Sequence, residues 1–163
     1  MTYDINKFFL YNTEDAPARQ TISTTYVEIT GSRCQIINKS NSKFIYKFNF
    51  YLATIYDWGS DGDYDKPLIH VKLQKSNDNF ASNVVDVSNC NFNASGDTLE
   101  NRDYFYNTFT PMFILENLNS NYLRLVARSY STSNEAHLHR AYQFDGTTNN
   151  EVYFNTSLLV IEV

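Results

Sequence analysis

The chain is poor in the residues from which most catalytic and binding devices are made. Five glycines in 163 residues leave little for a phosphate-cradling loop, which needs several within a short span. Two cysteines, Cys34 and Cys90, are too few for a disulfide framework and match no metal-ligand spacing; buried thiols are expected, with a single bridge left open. Thirteen Lys and Arg against 18 Asp and Glu give a net charge of −5. That balance argues against a nucleic-acid partner, because such affinity comes from clustered basic residues. No apolar run approaches the ~20 residues that span a bilayer, so no membrane insertion is expected. The start, MTYDINKFFLYNTED, lacks the basic residues and apolar run of an export signal, and synthesis in the cytoplasm is the expectation. Neither a G-x-S-x-G elbow nor an H-E-x-x-H motif occurs, and no cofactor is expected.

Aromatic residues are abundant instead, with 13 Tyr and 12 Phe. Such side chains suit pleated, half-buried surfaces and tilt the chain toward β structure. The stretch KFIYKFNFYLATIYDW, from Lys43, places Phe44, Tyr46, Phe48, Phe50, Leu52, Thr54, Tyr56 and Trp58 at alternate positions. Strand side chains alternate between two faces, so one face of a long strand is nearly all apolar. Shorter strands are expected at 24–30, 34–38, 68–74, 83–87, 103–109, 112–118, 122–131, 137–144 and 152–163. The first two, joined by a TGSR turn, suggest a corner or hairpin. Turn-rich clusters such as NKSNS, GSDGDYD and NFNASGD separate them, and no helical period persists. An all-β fold follows: an antiparallel β-sandwich of the jelly-roll kind over 21–163, with 1–20 as an arm or peripheral strand.

Three places could carry chemistry. Asp61, Asp63 and Asp65 have the alternate spacing of a calcium loop, but Lys66 and Lys72 stand where its Gly and Glu belong, and a solvated loop is expected. Asp57, Asp61 and Asp63 beside Trp58 and Tyr64 are where paired carboxylates for glycoside hydrolysis would be sought. His137 and His139 form an H-x-H pair on one strand face, half of a cupin-like metal site that His70 could complete. Surface or interface histidines are the plainer reading.

The unit YVEITGSRCQIINKSNSKFIYKFNFYL, with YLRLVARSYSTSNEAHLHRAYQFDG and TSLLVIEV, resembles bacteriophage virion proteins, notably of phages of marine bacteria. In these, a Y-V-x-I-x-G-S strand leads to a short strand and then to V-x-Y-x-F-x-F. The resemblance covers roughly residues 20–163 and implies a tumour-necrosis-factor-like jelly roll, homotrimeric, with a structural or adhesive role and no catalytic residues. The function it implies is a capsid decoration (cement) or fibre subunit on the virion surface, with the major capsid or another virion protein as partner. The segment 1–20 is the expected attachment arm. Tyr51, Ala53 and Ile55 are candidates for a subunit interface, and the apolar SLLVIEV end for a paired strand or interface. An alternative is a receptor- or carbohydrate-binding head reading a host glycan through Trp58, Tyr64, Tyr104 and Tyr106. A cupin-like metalloenzyme using His70, His137 and His139 comes third.

Overall fold

The structure is a computed structural model that describes residues 9–13, 19–36, 43–57, 68–93, 102–130, 136–139 and 155–163, with side chains for all of these except 9, 12–13, 53–57, 92–93 and 102–107. Its strands in chain order are β1 (Phe9–Thr13), β2 (Gln20–Ile22), β3 (Val27–Glu28), β4 (Cys34–Gln35), β5 (Phe44–Asp57) and β6 (Leu68–Ser76). Then come β7 (Val85–Asn93), β8 (Arg102–Phe109), β9 (Met112–Leu115), β10 (Tyr122–Ser129), β11 (Ala136–Leu138) and β12 (Ser157–Glu162). Among the described residues there is no helix.

The strands form two antiparallel sheets. The first runs β1-β12-β5-β11-β2, with β8 and β9 on the other edge of β5; the second runs β3-β10-β6-β7, with β4 also on β10. The pairings nest: β1 with β12 and β2 with β11 in the first sheet, β3 and β4 with β10 in the second, β5 with β8 and β9 in the first, β6 with β7 in the second. Each set lies inside the previous one along the chain, and successive sets alternate between sheets. A long antiparallel hairpin rolled into a sandwich in this way is a jelly roll. Part of the arm, Phe9–Thr13, is a peripheral strand bonded to β12.

The long strand behaves as its alternation predicts. Phe44, Tyr46, Phe48, Phe50 and Leu52 are all buried, with Ile45, Lys47 and Asn49 half-exposed on the other side; Thr54, Tyr56 and Trp58 lie outside the described side chains. Phe48 stacks on Phe50 at 5.8 Å between ring centroids, and Phe50 on Phe109 at 5.9 Å. Against this aromatic wall the second sheet sets Ile69, Val71, Leu73, Leu123, Leu125 and Ala127. Burying each large side chain contributes about 1.5–3 kcal/mol. The fit of rings against branched aliphatics fills the space between the sheets.

Two junctions differ from the sequence expectation. The TGSR turn makes no hairpin, because β3 and β4 both pair with β10. Residues 29–33 form a bulge between them, with Gly31 at φ 81° and Ile29 and Ser32 fully buried. Ser32, fully buried, repairs the ladder there: the Leu125 N–H donates to its Oγ at 3.0 Å and its hydroxyl donates to the Ile29 carbonyl at 2.6 Å. The second junction is β7, expected to end at Val87 but running to Asn93. Asparagine is a poor strand former, yet the β6 edge supplies a ladder that the Asn-rich run completes. Conversely β8 and β9 are one strand broken at Pro111. The register is the same on both sides, Phe50 opposite Phe109 and Lys47 opposite Met112. Proline has no N–H to give, but its carbonyl still accepts from Phe48 at 3.1 Å.

Candidate functional site

The outward face of the second sheet is built by cross-strand rows. Register places Arg124 beside Gln74 and Gln74 beside Asp86; Val126 beside Lys72 and Lys72 beside Asn89; Arg128 beside His70 and His70 beside Asn91. Next along, the Tyr130 N–H closes onto the Leu68 carbonyl at 2.9 Å. Alternation in YLRLVARS puts Arg124 and Arg128 on this wet side while Leu123, Leu125 and Ala127 enter the core.

Most of the charge here is neutralised locally. Glu28 accepts from both Arg33 and Arg124, the latter at 3.0 Å. Asp86 takes the Lys72 ammonium at 2.7 Å and the Gln74 amide at 2.8 Å, and Gln74 in turn accepts from Arg124 Nε at 3.0 Å. Hydrogen bonding to Lys72 lowers the Asp86 pKa, and the same bond raises that of Lys72. Two rings sit among the cations. Phe80, held at φ 66° in a turn organised by Asp78, carries Arg124 at 4.1 Å and Arg33 at 5.3 Å. The Asp78 carboxylate receives Ser76 and Ser82 hydroxyls and backbone N–H groups, which drive its pKa well below the usual range. Tyr26 has Lys72 at 4.4 Å from its ring and Arg128 at 5.3 Å, and its hydroxyl meets His70 Nδ1.

Arg128 stands apart from this network. Among the described residues no carboxylate pairs with it, and its Nε is buried with no hydrogen-bond partner. An unpaired buried donor costs about 1–3 kcal/mol. Arg128, His70, Asn91, Leu68 and Tyr130 line an open cleft of about 250 Å³. Tyr130 is 73% exposed, so one aromatic face is open to solvent beside it. Cation, amide, imidazole, ring and aliphatic floor together form a site that can hold an anionic group by one end and an apolar surface by the other. None of these residues was singled out for binding by sequence, except His70 as a metal ligand. The signal needed was the register that sets Arg128, His70 and Asn91 in one row.

The sequence candidates fall elsewhere. Trp58, Asp61, Asp63, Tyr64 and Asp65 lie outside the described residues. Asp57 ends β5 opposite Arg102; Tyr104 and Tyr106 occupy β8 opposite Ile55 and Ala53, and of these six only backbones are described. Tyr51 is 8% exposed, covered within the chain itself.

The three histidines do not converge. His70 is on the second sheet, while His137 is in β11 of the first. His137 and His139 are also buried rather than surface residues. His137 Nδ1 meets Thr21 Oγ1 at 3.1 Å. β11 stops at Leu138, and His139 takes φ 74°, so the pair does not share a regular strand. His139 Nδ1 meets Thr156 Oγ1 at 2.9 Å, its Nε2 has no partner among the described residues, and burial lowers its pKa to about 4. Each imidazole is thus a packing element bonded to a threonine. Among the described residues no three His, Cys, Asp or Glu side chains cluster as for a metal. Cys34 and Cys90 are free thiols; burial pushes Cys34 up to about 12 and raises Cys90 as well, which keeps both protonated at neutral pH.

No family model matches the chain, and no curated protein matches it. Among solved structures it is similar to the Eiger tumour necrosis factor of S. frugiperda, with a TM-score of 0.40 and 9% identity over 96% of this chain and 92% of that one. A likeness of that size bears on neither function nor partners.

Proposed function

We propose that this chain is a non-enzymatic building block of a virion surface, a decoration (cement) or fibre subunit, that associates with copies of itself through the outer face of the first sheet. The observation that carries the self-association is a pair of cross-strand rows on that face. One row is Tyr11, Leu159, Lys47 and Met112; the other contains Ile161, Ile45 and Ile114. Met112 is 60% exposed, Ile114 58% and Tyr11 58%, with Ile45, Leu159 and Ile161 half-buried between them. Only Lys47 interrupts the apolar surface. Four strands by three residues make a patch roughly 19 Å by 10 Å, on the order of 200 Å², an apolar stripe that a second copy of the chain can cover. The virion assignment rests on the sequence resemblance.

Sedimentation of the purified chain at micromolar concentration tests the assembly, with a trimer expected and Ile114→Glu shifting it to monomer. A wild-type monomer with the patch exposed would overturn it. The virion half is tested by locating the chain in a reconstruction of intact particles; its absence from purified particles sinks that half alone. A second reading, a carbohydrate-binding head, is favoured by the cleft on the opposite sheet. It is compatible with the first, because the two faces point away from each other.

A further inference from the structure

We propose that the cleft lined by Arg128, His70, Asn91, Leu68 and Tyr130 binds the carboxylate of one acidic sugar unit; this rests on the carbohydrate-binding reading and names its ligand class. Charge comes first. The chain as a whole carries −5, yet the cleft wall carries a guanidinium that no described carboxylate neutralises, whereas Arg33, Arg124 and Lys72 each have an acidic partner. A carboxylate matches the flat fork of a guanidinium with two parallel hydrogen bonds, which a neutral hydroxyl cannot do.

Shape and polarity narrow the ligand further. A volume of about 250 Å³ equals roughly eight waters' share of liquid, enough for one sugar ring and too small for an extended chain. Asn91 supplies an amide with two donors and an acceptor, suited to adjacent ring hydroxyls. Leu68 and the exposed ring of Tyr130 offer the apolar surface on which the C–H face of a pyranose rests. Tyr26 braces two of the lining residues, its hydroxyl bonded to His70 and its ring 5.3 Å from the Arg128 guanidinium.

The test is titration of the full chain, followed by NMR chemical shifts or calorimetry, with galacturonate, glucuronate and N-acetylneuraminate against galactose, glucose and inorganic phosphate. At least one acidic sugar should bind, at least about tenfold more tightly than its neutral counterpart and than phosphate. Arg128→Gln should remove that preference, and Asn91→Ala should weaken binding of the acidic sugar. Lys43→Gln, which removes the same charge where Lys43 pairs with Glu116 far from the cleft, should leave it intact. Thermal melts of each variant confirm folding. Binding of neutral sugars without a carboxylate preference overturns this proposal and leaves the head reading standing. Binding of phosphate as tightly as the acidic sugar reduces the site to a general oxyanion site and overturns it too. Failure of every sugar to bind takes the head reading with it.

Discussion

Ile45 and Lys72 hold comparable central positions on the outward sides of the two sheets, and their neighbours differ in kind. Around Ile45 stand Ile114, Ile161, Leu159 and Met112. Around Lys72 stand Asp86, Tyr26, Gln74 and, one row on, His70. The first set can be satisfied by any apolar surface that covers it, since hydrophobic contact is non-directional. The second is committed to particular partners at fixed distances, and Arg128, with which no carboxylate pairs among the described residues, faces a cleft. One sandwich can therefore use a permissive surface for copies of itself and a selective one for a ligand, provided that the interior keeps the two faces rigidly back to back.

That interior is the part whose removal should matter most. Phe48→Ala deletes a fully buried ring stacked on Phe50 in the first sheet, and about 3–5 kcal/mol of stability should be lost. Leu125→Ala, its aliphatic counterpart in the second sheet, should cost about 2–5 kcal/mol. Urea unfolding followed by tyrosine fluorescence and by circular dichroism measures both. The two probes should give coincident transitions in each variant, because the sheets share one core. A variant in which one signal is lost well before the other would mean that the sheets unfold separately, and the back-to-back argument would fail.

The next effect separates the sheets by pH. His139, on the first sheet side, is buried with a pKa lowered to about 4 from 6.5 by desolvation. In the unfolded chain it takes up a proton as the pH falls below 6.5, but in the folded protein not until about 4. The unfolded state thus binds more protons in that window, and stability falls as pH drops through it, by about 3 kcal/mol at most from this residue. His139→Asn tolerates the left-handed backbone and removes the titration. The difference in urea midpoint between pH 7 and pH 4.5 should be smaller in the variant than in the wild type. Parallel declines in the two proteins would show that His139 is not the acid-labile group.

How much of this was legible depends on where the determining partner sits in the chain. The aromatic wall from Phe44 to Leu52 was readable because a strand's two faces are written in its own alternation. The same holds for β6 and β10, whose buried and exposed positions follow their sequence. The bulge at residues 29–33 was not readable, because the strand it interrupts is defined by β10, some 90 residues away, and only Ser32 bonding to Leu125 shows how the gap is closed. The Asn-rich end of β7 reads as a turn on propensity and is a strand because β6 offers its edge. The candidate site fared worst. Single residues such as Arg128 and Asn91 carry no signal until register puts them in a row with His70, while the histidine pair that did carry a signal is spent on packing against Thr21 and Thr156.

The smallest expected effect is the most discriminating between the two outer faces. Glu28 links Arg33 and Arg124 on the second sheet, and its side chain is 28% exposed. Pairs at that exposure contribute little, so Glu28→Gln should cost about 1 kcal/mol or less. Exposed charges are screened over about 8 Å at physiological ionic strength and about 3 Å in 1 M salt. The difference between Glu28→Gln and wild type should therefore shrink as sodium chloride is raised. Ile114→Glu on the first sheet should instead keep its effect on sedimentation, because salt does not weaken apolar contact. The acidic-sugar preference of the cleft should move with the first of these, weakening in salt, since it too rests on a cation at an open cleft. If the Glu28 difference persisted unchanged in high salt, the stability of this face would lie in packing of Arg124 on Phe80, and the contrast between a permissive and a charge-committed surface would lose its physical basis.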